Sequence, residues 1–153
     1  MISDYVSWLS NQTWMWPAIL MVNVWAGFPF MFVNLLSGLQ GIPRDLYEAA
    51  EIDGVGRWRQ FWTITIPMLS PSMFFAAVLT LITSFQVFSQ PYILTGGGPG
   101  VATQTMVMYM YQKGFQFYQL GTASAISTLL LIIIVLVTGL QFLGQRRFVH
   151  YDG

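Results

Sequence analysis

The chain has 153 residues, of which 55% are hydrophobic, 16% aromatic and 8% charged, against roughly 25% charged in an ordinary soluble domain. So few charges cannot cover a water-exposed surface, so the expected solvent for this single domain is lipid. Zero formal net charge argues against nucleic acid as the main partner, and the lack of cysteine excludes disulfides and thiolate metal sites. The segment 1–12 contains Asp4 and no Lys or Arg, unlike a signal peptide with its basic flank and apolar core.

The first apolar stretch covers about 17–36. At ~1.5 Å per residue, a helix of this length spans the ~30 Å hydrocarbon core. It carries Asn23, Gly27, Pro29 and Asn34, which a bundle tolerates because neighbouring helices re-satisfy the backbone. Trp8, Trp14 and Trp16 lie just before it, where an interfacial aromatic belt belongs.

The loop 41–67 reads as a short helix, a break and a second helix. Pro43 is expected in the first helical turn, where its missing N–H costs nothing. Asp45 and Glu48 lie early, where the helix dipole favours negative charge. Gly54 is expected to stop the helix in a left-handed conformation. Leu46, Ala49, Ala50 and Asp53 then share one face by three-and-four spacing. After Val55 and Gly56, a second short helix through Trp58, Phe61 and Trp62 is expected at the interface, before Pro67 re-enters the membrane.

The second apolar stretch covers about 68–94 and is mixed in character. Read as one helix, it puts Thr83, Gln86 and Gln90 on a single face, with Phe85, Ser89 and Tyr92 close by. Amides beside aromatic rings suit a sugar, and Asn23 is expected at a similar depth in the first span. Polar groups inside a span are functional candidates; the alternative use is interhelical hydrogen bonding, worth ~0.6–2 kcal/mol each. The loop 95–121 contains Gly96–Gly100 without the Gly-Lys-Ser/Thr of a phosphate-binding loop, so it reads as a turn. Thr103 to Phe117 reads as an interfacial helix with Met106, Met110 and Phe117 on one face. The third stretch covers about 122–144. Its run Leu129 to Val137 is the clearest lipid-facing candidate, while Ala123, Ser124, Ala125 and Ser127 suit close helix contact.

Arg44, Arg57 and Arg59 lie between the first and second spans, and Arg146 and Arg147 follow the third; only Lys113 lies between the second and third. The positive-inside rule then puts the first loop and the C-terminus in the cytoplasm and the N-terminus outside. No Arg, Lys, Asp or Glu falls inside a span, which favours a neutral substrate over a strongly anionic one. His150 stands alone near the C-terminus and is given no role.

The loop resembles the EAA motif of binding-protein-dependent ABC importer permeases: Glu-Ala-Ala, three residues, Gly, nine residues, then Ile-x-Leu-Pro. The matching positions are Glu48, Ala49, Ala50, Gly54, Ile64 and Pro67, with Ile66 at the Leu position. The run Arg44 to Gly54, and Leu94-Thr95-Gly96-Gly97-Gly98-Pro99 beyond the second span, look like the carbohydrate branch, in particular the first permease subunit of maltose and glycerol-3-phosphate types. The resemblance covers nearly the whole chain and the second half of family permeases.

The resemblance implies an all-α membrane protein: three transmembrane helices plus a cytoplasmic coupling helix, half of a MetI-like permease fold. It implies that Arg44, Glu48, Ala49, Ala50, Asp53, Gly54, Ile64 and Pro67 serve coupling to an ATP-binding subunit, with Glu48 making a polar contact and the alanines packing closely. A sugar path through Asn23, Thr83, Gln86, Ser89, Gln90 and Tyr92 is the matching expectation. The implied partners are cytoplasmic ABC ATPase subunits, a second permease subunit, an external solute-binding protein and the lipid of a prokaryotic inner membrane. ATP is held by the partner, and the chain is expected to carry no cofactor, metal or catalytic residue of its own. Because the earlier core helices have no counterpart, Met1 is expected to be an internal methionine of a longer gene or the start of a fragment. Two rival readings are a non-transporting membrane module that binds an ATPase subunit and a small oligomeric channel.

Overall fold

The computed structural model describes residues 8–145, and these contain helices and turns but no strands. Arg146, Arg147 and His150, on which part of the topology and tail reading rests, lie outside the described residues. Among the described residues, three stretches are long and apolar enough to cross a membrane: Met15–Gln40, Arg57–Phe85 and Leu120–Gln145.

The first, α1 (Met15–Gln40), extends beyond 17–36 at both ends. Asn11 starts it: its side-chain oxygen accepts from the Thr13 N–H at 2.9 Å, and its carbonyl accepts from Trp14 and Met15. Pro17 therefore falls in the first turn, where its missing N–H is not needed. Pro29 lies inside the helix without ending it. A short helix, α2 (Arg44–Ile52), follows, with Pro43 at its N-cap and not inside its first turn.

The helix expected before Pro67 and the span expected after it are continuous. Helix α3 (Arg57–Gln60), a π turn at Phe61–Thr65 and α4 (Ile66–Phe85) run on as one helical stretch. A proline ring crowds the carbonyl four residues before it, here Thr63. The wider π turn just ahead of Pro67 gives the ring room without breaking the helix.

The same span ends at Phe85, short of Leu94, and a separate helix α5 covers Ser89–Thr95. The reason is Pro91, whose absent N–H cannot bond the Val87 carbonyl. That carbonyl instead accepts from Thr105 Oγ1 at 2.8 Å. The Thr105 oxygen also accepts from the Met108 N–H at 3.3 Å, which caps α6 (Met106–Tyr111). A second π turn covers Gln112–Gln116, and α7 is Leu120–Gln145.

By contacts, the chain forms two compact units, to each of which all three long helices contribute a part. The first holds Ile82–Val137 with the segment ending at Gly27. Its buried side chains include Met15, Ile19, Pro91, Thr103, Met108, Leu130 and Ile134. Met108 is fully buried, whereas Met106 and Phe117 are exposed, Phe117 just beyond the helical stretch. Gly114 is buried because a Cβ there would stand 3.1 Å from the Ala123 Cβ; this is the close small-residue contact expected of α7. Leu130 and Ile134, one helical turn apart, are buried, so the run Leu129 to Val137 does not face outward as a whole.

The second unit holds Phe28–Leu81 with the end of α7 from Thr138. Gly38 of α1 packs against Leu69 and Ser72 of α4, and the Phe74 and Phe142 rings meet edge-on at 5.2 Å. Within the most apolar window of each span, 6%, 17% and 11% of residues are buried inside the chain. The exposed apolar side chains, Trp25 at 82% among them, therefore match a lipid or protein environment and not water.

Candidate functional site

The segment with the spaced motif lies in the second unit. Asp45 sits in the first turn of α2, on the favourable side of the helix dipole. The helix ends in a Schellman arrangement: the Val55 N–H donates to Ala50 O at 2.9 Å and the Gly54 N–H to Glu51 O at 3.0 Å. Gly54 supplies the left-handed residue this needs, with φ +72°. Arg44, Glu48, Ala49, Asp53 and Gly54 are exposed and Ala50 is half-buried, so these six lie together on one short helix and its exit turn. Ile64 and Pro67 lie elsewhere, half-buried on the second span.

Three residues outside the predicted set fix α2 in place. The Tyr47 hydroxyl and Thr65 Oγ1 are 2.9 Å apart, and either can donate. Gln60 is buried, and its Nε2 donates to Val55 O at 3.0 Å. Val55 is thus bonded on both sides, through its N–H to α2 and through its carbonyl to α3. The signal in the sequence was a Gln and a Thr at positions where a span begins.

The predicted polar face of the second span is divided. Thr83 ends its helix near Phe85, Gln86 lies in the break, and Ser89, Gln90 and Tyr92 belong to α5. Tyr92 stacks on Phe88 at 4.9 Å and meets Tyr111 edge-on at 5.8 Å. A cavity of about 510 Å³ in the first unit is lined by Asn23, Ser84, Phe85, Thr105 and Trp16, among mostly apolar neighbours. Of the six predicted path residues, Asn23 alone lines this cavity. Its Nδ2 donates to Ile19 O at 2.9 Å. Ser84 and Thr105 are polar liners that the one-helix reading did not single out.

The glycine segment bonds to itself. Thr95 Oγ1 and Thr103 Oγ1 are 2.6 Å apart, close to the carbonyls of Pro91 and Gly98. Gly96, Gly97 and Gly100 have positive φ. It is a turn, as the sequence implies.

The family model of the binding-protein-dependent transport system inner membrane component matches residues 1–150. The chain belongs to this family. Among relatives of the inner membrane component, the sulfoquinovosyl glycerol transport system permease SmoG of Agrobacterium fabrum is 41% identical over 133 residues, 87% of this chain and 43% of its own. The trehalose/maltose permease MalF of Thermococcus litoralis is 42% identical over 146 residues, 94% of this chain and 48% of its own. The sn-glycerol-3-phosphate permease UgpA of Brucella abortus is 40% identical, covering 88% and 46%. This chain therefore spans about half the length of the curated relatives it matches. A bacterial ABC transporter that imports the acidic polysaccharide alginate matches with TM-score 0.84 at 24% identity, over 96% of this chain and 52% of that one. That likeness shows the permease fold: three membrane helices with a short helix between the first two.

Proposed function

We propose that this chain is the coupling half of an ABC importer permease for a sugar or oligosaccharide, with α2 as the element that docks on a cytoplasmic ATPase subunit. The observation that carries the reading is the exposed α2 helix with its glycine-stopped turn, bearing Glu48, Ala49, Ala50 and Gly54 at the motif spacing. Family membership and the transport names of the relatives support it. In this reading Glu48 makes the polar contact with the ATPase subunit. Ala49 and Ala50 let that surface come close, and ATPase closure biases the membrane helices between two states.

The chain sits in the prokaryotic inner membrane with α2 and the C-terminus cytoplasmic and the N-terminus outside. It catalyses no reaction and holds no cofactor; ATP belongs to the partner. A second permease subunit and an external solute-binding protein complete the importer. Helices α1, α4 and α7 contain no Lys or Arg, which supports a neutral substrate for the part of the path that this half lines. The path runs by the cavity that Asn23 lines.

The test is recovery of partners. Affinity capture of the chain from mildly solubilised native membranes should bring down an ABC ATPase, a second permease and a solute-binding protein. Recovery of homo-oligomers alone, with ion conductance in planar bilayers, would favour the channel reading and refute this one.

A further inference from the structure

Two hydrogen bonds join α2 and its exit turn to the helix that follows, and they act at different points. The Tyr47–Thr65 pair, 2.9 Å apart, ties the middle of α2 to the π turn of the second span. Gln60 Nε2, bonded to Val55 O at 3.0 Å, ties the turn after α2 to α3. Gln60 is 6% exposed and Thr65 9%, with Tyr47 and Val55 half-buried, so both ties are partly shielded from water, which strengthens a hydrogen bond. One tie alone would leave α2 free to swivel about it. Two ties at separated points fix both its position and its direction.

We infer that Tyr47, Thr65 and Gln60 are positioning residues that make α2 and the start of the second span one rigid lever. This rests on the coupling role proposed for α2. A force on Glu48 then turns the span instead of bending the loop at Val55 and Gly56. Tyr47 and Thr65 carry this by their hydroxyls alone: Phe and Val keep nearly the same volume and remove only the bond. None of the three has to touch the ATPase subunit.

The chain has no cysteine, so Glu51→Cys, at an exposed position of α2, gives a single site for a nitroxide label in lipid nanodiscs. Tyr47→Phe and Thr65→Val should each raise the mobile fraction of the label by about five-fold, the scale of one net hydrogen bond. Thr65→Ser should keep the parent spectrum, and the Tyr47→Phe/Thr65→Val double variant should match either single variant, because both remove the same pair. An unchanged spectrum in both single variants, or additive effects in the double, would overturn the brace. This arm needs no ATPase, so it stands apart from the coupling role.

The second arm uses the importer captured with its ATPase. Tyr47→Phe should leave ATPase recovery unchanged and lower substrate uptake per ATP hydrolysed, whereas simple misfolding would lower recovery and uptake together. Failure to recover any ATPase with the parent chain sinks the coupling role and not the brace. An unchanged uptake ratio despite a mobile α2 sinks the lever.

Discussion

The Gly38 backbone and the Ser72 side chain are packed so closely that a Cβ on Gly38 would stand 2.5 Å from Ser72 Oγ. Leu69 Cδ1 would be 2.7 Å away. Gly38→Leu should therefore force α1 and α4 apart in the second unit and cost about 1–3 kcal/mol, the usual penalty of overpacking. Gly38→Ala should cost less, and Ser72→Gly should recover part of it. Thermal unfolding in detergent reads both; equal melting temperatures for Gly38→Leu and the parent would contradict the close contact.

Gly54 gives the opposite steric case. No atom lies within 4 Å of a Cβ built there, so Gly54→Ala meets only the left-handed backbone penalty of about 1–2 kcal/mol. Gly54→Asn should cost less, since Asn tolerates that region. The order Gly, Asn, Ala in stability of the α2 turn can be measured by amide hydrogen exchange at Val55. Equal protection in all three would mean that the turn does not need its left-handed residue.

Thr105 does two jobs with one oxygen, bonding Val87 O and the Met108 N–H. Thr105→Val keeps the shape and leaves a half-buried carbonyl and a helix end unpaired, at a cost of about 1–3 kcal/mol. Thr105→Ser should retain most of the stability. Protease accessibility of the 86–105 segment is the readout, and similar cleavage of the Val and Ser variants would go against the assignment.

The cavity and the divided span give differing expectations for uptake. Asn23→Leu should raise the KM for substrate uptake several-fold, by roughly the value of one or two hydrogen bonds, because Asn23 lines the cavity. Gln90→Leu, on α5 and outside that lining, should change it little. The reverse pattern would move the path to the face of α5.

The local chemistry explains which features were legible in the sequence. The three spans follow from apolar length, and the α2 stop follows from Gly54, the residue with least cost in a left-handed turn. The break at Gln86–Phe88 was missed because the residues 68–94 are apolar enough to read as one helix. Its cause lies in Pro91, and its remedy in Thr105, far along the chain. The face shared by Thr83, Gln86 and Gln90 was lost with that helix. Likewise, the ties from Tyr47 and Gln60 depend on which distant hydroxyl or carbonyl folding brings near, and periodicity cannot supply that. Pro67 does not separate two helices either: a π turn precedes it, and the helical stretch runs on from Arg57 to Phe85.

The most direct measurement for the coupling claim is Glu48→Lys in the complete importer. Glu48 is exposed on α2, so reversing its charge should leave membrane insertion unchanged and the folding stability within about 0.5 kcal/mol of the parent. The account predicts that the variant reaches the membrane in normal amount, recovers at least ten-fold less ATPase on capture, roughly the loss of one charge-assisted contact, and abolishes uptake. Normal ATPase recovery together with normal uptake would contradict it.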